Sequence, residues 1–206
     1  MVGVAKPILL DIPESFETER LLIRAPRAGD GAVMNAAMAE TIHNLRHWLP
    51  MPWCQNLQTP AETEESVRRS SALWILREDF RFGLFRKSDG AYIGACGLHR
   101  PDWSIPQLEI GYWIRASVEG QGYVGEAVAG VNQFAFETLK AERMEIRCDS
   151  RNDRSAAVAR KAGFTLEATL RHNDTTADGS ALRDTLLFAM IKDQYFYHKE
   201  HGVKAT

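Results

Sequence analysis

The stretch Leu108-Glu109-Ile110-Gly111-Tyr112-Trp113-Ile114, then Gly120-Gln121-Gly122-Tyr123-Val124-Gly125-Glu126, decides the fold. An apolar strand pattern runs into a glycine-broken turn, and a helical pattern begins inside that turn. Backbone N–H groups at a helix start point outward without intrahelical partners, and the helix dipole adds partial positive charge there. Such a turn suits an anion, most often a phosphate. The helix it opens, from about Gly122 to Leu139, carries the stripe Val124, Val128, Val131 and Ala135, the spacing of one buried face.

Upstream, the strand patterns are consecutive. Phe80 to Phe85 alternates, Lys87-Ser88-Asp89-Gly90 holds a strong Asp-Gly hairpin signal, and Ala91 to Leu98 is its partner. A loop from Arg100 to Ser104 leads to the strand 107–114. Three strands in succession predict an antiparallel meander.

Further out, Arg20 to Ala25 predicts a first strand behind an arm of residues 1–17. Asp30 is a helix cap candidate, with the helix reaching about Ala39. Leu45 to Pro60, with Trp48, Trp53 and three prolines, reads as a loop. Thr59, Pro60 and Glu62 form a capping box for a helix to about Arg77. Downstream, 144–148 predicts a short strand and 152–162 a helix stopped by Gly163. The segments 164–168 and 182–191 predict two closing strands. The expected fold is therefore α/β of the α+β type, a mixed and mostly antiparallel central sheet flanked by helices, in a single domain spanning 1–206.

Bulk properties narrow the function. A net charge of -2 gives no global pull toward nucleic acid or membranes. Cys54, Cys96 and Cys148 show no metal-ligand spacing, which predicts no structural zinc and suits the cytoplasm. No leader pattern or membrane-length apolar run is present.

The turn has two phosphate readings. Gly120-x-Gly122-x-x-Gly125 matches a dinucleotide fingerprint, and Asp149 lies where a ribose-binding acid would fall. Against this, antiparallel strands come first, and Ala116 to Glu119 separates the strand from the glycines, where a dinucleotide turn is tight. A glycine connection with no ligand is the plain alternative.

The second reading draws on Asn152-Asp153-Arg154-Ser155-Ala156-Ala157-Val158-Ala159-Arg160-Lys161-Ala162-Gly163-Phe164. Together with Gln121 to Glu126, it resembles the two coenzyme A motifs of the GNAT superfamily of N-acetyltransferases. The turn departs from that pattern in having Val124 at the first glycine position. Glu-Ile-Gly-Tyr-Trp-Ile at 109–114, Glu17 to Arg24, Leu45 to Pro50 and Arg183 to Thr185 are similar to the RimJ/RimL branch, the ribosomal-protein N-terminal acetyltransferases.

That resemblance implies transfer of an acetyl group from acetyl-CoA to a primary amine by direct attack, with no metal. The leading acceptor is the α-amino group of a protein or peptide N-terminus, and a small-molecule amine is the alternative. A non-catalytic acyl-CoA-binding module is a third reading, and the chain is expected as a monomer or homodimer. The resemblance assigns pyrophosphate contacts to Gln121, Gly122, Tyr123, Val124, Gly125 and Glu126. It assigns pantetheine and oxyanion contacts to the backbone of Tyr112, Trp113 and Ile114, with a bulge at Gly111 to splay the strand. Asn152 would hold pantetheine and Ser155 would approach the thiol sulfur, although both also suit helix capping. Glu109 is the candidate general base, with Asp174 a weaker one. Trp48, Trp53 and Trp103 would border the acceptor. His43, His47, His99 and His172 show no triad-like context and receive no role.

Overall fold

The computed structural model describes residues 3–49 and 52–202, with the side chains of Pro52 and Trp53 outside the described set. Among the described residues, eight strands join one sheet: β1 (Ser15–Glu17), β2 (Leu21–Arg24), β3 (Phe80–Arg86), β4 (Tyr92–Asp102), β5 (Gln107–Ile114), β6 (Arg143–Asp149), β7 (Thr165–Thr175) and β8 (Leu182–Ile191). Their order is β1-β2-β3-β4-β5-β6-β8-β7. Every neighbouring pair is antiparallel except β5 and β6. A parallel pair needs a crossover, and here that connection carries the helix opened by the glycine turn.

The helices are α1 (Gly31–Trp48), α2 (Pro52–Gln55), α3 (Pro60–Leu76), α4 (Tyr123–Gln133), α5 (Asp153–Lys161) and α6 (Lys192–His201). A π-helical turn, Phe134–Thr138, extends α4. The expected stripe on α4 is real, with Val128, Val131 and Ala135 wholly buried. They pack in one cluster with Leu108 and Ile110 of β5 and Met144 and Ile146 of β6. On the other sheet face, Met34 of α1 and Val67 and Ser70 of α3 line a cavity of about 40 Å³ with Arg81, Gly83 and Ala95. Helices thus cover both faces of the sheet.

Local signals hold at several ends. Thr59 and Glu62 complete the capping box of α3. Asn152 caps α5 by accepting from Ser155 N, and Gly163 follows at φ 85.

Four expectations change. Helix α1 continues nine residues past Ala39, because Thr41 and Leu45 keep the buried face at helical spacing. Trp48 therefore ends a helix rather than sitting in a loop. Asp30 precedes α1 without capping it, since its carboxylate is taken by both arms of the Arg24 guanidinium at 2.7 Å. Glu64 of α3 accepts from Gly29 N and Gly31 N instead. Residues 15–17 of the expected arm form edge strand β1, paired along β2. Strands β4 and β7 run longer than their apolar patterns, because ladder pairing carries them into polar sequence.

Candidate active site

Strands β5 and β6 pair only from Gln107/Arg143 to Ile110/Ile146. Beyond that point β5 continues to Ile114 on β4 alone, while β6 continues along β8. The two strands part at Gly111, so alternate backbone groups of Gly111 to Ile114 face a gap instead of a ladder. Crevices at the carboxyl ends of parallel strands are where open α/β sheets bind ligands. The expected bulge is elsewhere: Gly111 pairs in register with Gly97, and the irregularity lies between His99 and Asp102.

The glycine turn lies between the end of β5 and the start of α4. Gly120 and Gly122 adopt φ 75 and 82, conformations that favour glycine. Among the described residues, the backbone N–H groups of Gly120 to Gly125 donate to no protein acceptor. The next amide, Glu126 N, closes the first helical turn onto Gly122 O. Six successive free donors at a helix N-terminus make an anion cradle of the kind a pyrophosphate needs.

The side chains of that turn do other work. The Glu126 carboxylate accepts from Thr18 Oγ1 (2.5 Å), Arg20 N (2.7 Å) and Arg20 Nε (2.6 Å). Burial raises its pKa, but these bonds outweigh burial and hold it below the ordinary carboxylate range. Arg20 also donates to Gln121 O and lies 4.3 Å above the Tyr123 ring. Tyr123 is buried, Val124 packs on the core, and Gly125 faces open space. The departure at Val124 thus falls on a core-facing position. Gln121 Nε2 folds back toward Ser117 O. Arg20 and Thr18 brace the turn, a role that the sequence did not announce.

On the α5 side, Tyr112 Oη lies 2.8 Å from Ser155 Oγ and 3.2 Å from Ser155 O. Burial pushes the Tyr112 phenol well above its ordinary pKa, so it keeps its proton. Helix α5 itself contains no tyrosine, and the hydroxyl that reaches Ser155 arrives from β5. Asn152 Oδ1 accepts Ser155 N at 3.0 Å. Buried Cys148 is a packing residue whose thiol is pushed up by burial.

Residues alternate faces along a strand. Glu109, Gly111 and Trp113 therefore lie opposite Tyr112. The Glu109 carboxylate accepts from Arg100 Nη1 at 2.6 Å and lies 3.7 Å from Arg147 Nε. Asp174 is on β7, bound to Arg183 at 2.6 Å, three strands from β5 in the sheet order. Asp149 is taken by the Arg151 guanidinium and backbone, leaving the ribose-binding reading without its acid. Trp103 donates to Arg77 O and packs edge-on to Phe80. It sits beside the turn into β5, at the opposite end of that strand from the gap. Trp48 is half-buried against His47 at the end of α1, and the Trp53 side chain lies outside the described residues. Among the described residues, no cluster of three or more His, Cys, Asp or Glu could hold a metal ion, and no helix is long and apolar enough to cross a membrane.

A sequence family described as the GNAT acetyltransferase domain matches residues 20–165. The chain belongs to the GNAT acetyltransferase family. This GNAT chain is 29% identical over 187 residues to the N-acetyltransferase p20 of Bacillus licheniformis, covering 88% of this chain and 98% of that one. It is 28% identical over 148 residues to the ribosomal-protein-serine acetyltransferase of Escherichia coli K12, covering 71% and 80%. Its GNAT fold superposes on RimL, the ribosomal L7/L12 α-N-protein acetyltransferase in complex with coenzyme A, with a TM-score of 0.78 at 22% identity over 89% of this chain and 98% of that one. The GNAT chain is an acyl-CoA-dependent N-acetyltransferase, and acetyl-CoA is its donor.

Proposed function

We propose that the whole chain forms one catalytic unit acetylating the α-amino group of a protein or peptide N-terminus. The observation that carries this reading is the parting of β5 from β6 at Ile110/Ile146 beside the free amides of 120–125. The cradle of free amides suits the coenzyme A pyrophosphate, and the nearby Arg20 and Arg154 are each paired with a carboxylate, Glu126 and Glu119. Pantetheine would run along Tyr112 to Ile114, with Asn152 at its side and the thioester near the point of parting. A backbone N–H freed there would stabilise the developing oxyanion.

On that geometry the neutral amine's lone pair attacks the thioester carbonyl, the C–S bond breaks, and the nitrogen releases one proton to a base or solvent as the amide forms. The thiolate leaves toward Ser155, where the Ser155–Tyr112 hydroxyl pair supplies a proton. The amine arrives from the opposite face, beside Glu109, which would hold it by charge.

Near the carboxyl end of β6, a cavity of about 210 Å³ is lined by Arg46, His47, Arg151, Thr176, Asp178 and Ser180. It lies beside the last turn of α1, the helix that ends at Trp48. The name of the Escherichia coli relative points to the same acceptor class.

A panel of peptides with different N-terminal residues, run against polyamines and amino-acid amides, tests this by coenzyme A release. Peptides should exceed every small amine in kcat/KM by at least about tenfold, a difference of roughly 1.4 kcal/mol in transition-state binding. A small amine outrunning all peptides would reassign the acceptor.

A further inference from the structure

His99 is in a built setting that the sequence does not reveal. Its imidazole packs on the glycine pair Gly97 and Gly111. A Cβ added at Gly97 would meet His99 Cε1 and Nε2 at 2.9 Å, and one at Gly111 would meet Cδ2 and Nε2 at 3.0 Å. These two residues are register partners across β4 and β5, and both must lack a side chain for the ring to sit there. Gly111 is also the residue at which β6 departs from β5. The ring is thus held directly over the point of parting.

His99 Nδ1 lies 3.0 Å from Asp79 Oδ2. An ionised carboxylate only accepts, so Nδ1 carries the proton and Nε2 keeps its lone pair. Nε2 has no hydrogen-bond partner among the described residues. Asp79 is mostly buried, and its other oxygen lies 3.6 Å from Arg81 Nε. The same sheet face carries Glu109, the register partner of His99, with Arg100 beside it and Arg147 and Glu145 on β6. Glu109 Oε2 is already committed to Arg100, whereas Nε2 is uncommitted.

We propose that His99 is the general base of acetyl transfer and that Asp79 positions it. This inference rests on the N-acetyltransferase reading but not on which amine is accepted. The acceptor ammonium gives one proton to Nε2. The freed lone pair then forms the C–N bond as the C–S bond breaks, the thiolate takes a proton from the Ser155–Tyr112 side, and the second proton shed by the acylated nitrogen restores that hydroxyl pair through solvent. His99 and this hydroxyl pair lie on opposite faces of β5 at adjacent residues, 111 and 112, as an amine entering from one face and a thiol leaving on the other require. Histidine is the side chain most often used to take a proton in such a transition state.

The test measures kcat, kcat/KM against pH 5–9, and acetyl-CoA Kd for the wild type, His99→Gln, Asp79→Asn and Glu109→Gln. The acceptor is whichever amine of the panel gives the highest kcat/KM, so a failed peptide reading leaves this comparison intact. His99→Gln should lose about 100-fold or more in kcat, keep its acetyl-CoA Kd within threefold, and lose the rising limb of the pH profile. Asp79→Asn should keep the limb but displace it, with a loss of about tenfold or more. Glu109→Gln should raise KM more than it lowers kcat and retain the limb. If His99→Gln does not fold, the displaced limb of Asp79→Asn carries the test. The proposal is overturned if His99→Gln, or Asp79→Asn in its place, matches the wild-type profile, or if Glu109→Gln alone removes the limb.

Discussion

Tyr112 and Ser155 show how one hydroxyl pair can serve both packing and chemistry. Tyr112 is on the core-facing side of β5, yet its phenol oxygen emerges at the first turn of α5. Burial keeps it protonated, so it is a donor at any physiological pH. Tyr112→Phe keeps the ring and removes only that donor. Its kcat should fall by about 10- to 100-fold with little change in acetyl-CoA Kd. Ser155→Ala should cost less, because the phenol can move to the thiolate directly. Stopped-flow or steady-state thiol release measures both. Equal kcat for Tyr112→Phe and the wild type would assign the thiolate's proton to solvent. The cysteines have no such part: Cys54 and Cys96 are pushed up to about 12 by burial and carry no thiolate near neutral pH.

At the scale of the element, the glycine turn separates two uses of the same residue type. Gly122 sits at φ 82 with only Arg20 nearby, so its requirement is conformational. Gly125 is in the first turn of α4, where an added Cβ would meet nothing within 4 Å, so the free protein does not require it. Gly122→Ala should therefore lower stability by about 1–2 kcal/mol, the cost of a left-handed residue. Gly125→Ala should leave the free protein as stable or more so, by up to about 1 kcal/mol. It should still weaken acetyl-CoA binding by about tenfold, because the methyl occupies the space over the free amides. Calorimetric titration alongside thermal melts distinguishes them, and unchanged binding in Gly125→Ala would move the phosphate off this turn. The turn itself was legible because glycines, an apolar strand and a periodic helix are local signals. The capping of α5 by Asn152 was legible for the same reason. The His99–Asp79 pair was not: 20 residues and a strand hairpin separate its members, and only register lays the ring on Gly97 and Gly111. The full reach of α1 is hidden because Glu40, Thr41 and His43 look polar, although Thr41 and Leu45 continue its buried face.

At the scale of the whole molecule, two buttresses tie separate elements together. Glu126, at the start of the crossover, is bonded to Thr18 and Arg20 between β1 and β2, more than 100 residues away. Arg24 and Asp30 join β2 to the head of α1. Asp30, like Glu126, has burial raising its pKa and its arginine and backbone partners lowering it by more, for a net decrease. Asp149 is lowered first by its bond to Arg151. Each of these carboxyls is more acidic folded than unfolded, so on acidification the unfolded chain takes up protons first. Their stabilisation is complete above the ordinary carboxylate range, near pH 4, and drains as pH falls toward the folded values. Urea midpoints at pH 7, 5, 4 and 3 should accordingly hold between pH 7 and 5 and then fall. Glu126→Gln should start from a lower midpoint at pH 7 and show a shallower fall. Saturating acetyl-CoA at about 100 times its Kd should raise stability by about 2.7 kcal/mol, or roughly 5–10 °C in Tm for a chain of this size. In Glu126→Gln that gain should shrink, because the buttress that fixes Gln121 and Tyr123 also fixes the amides meeting the phosphate. A full ligand-induced gain in Glu126→Gln would separate the two roles and leave Glu126 as a fold residue alone.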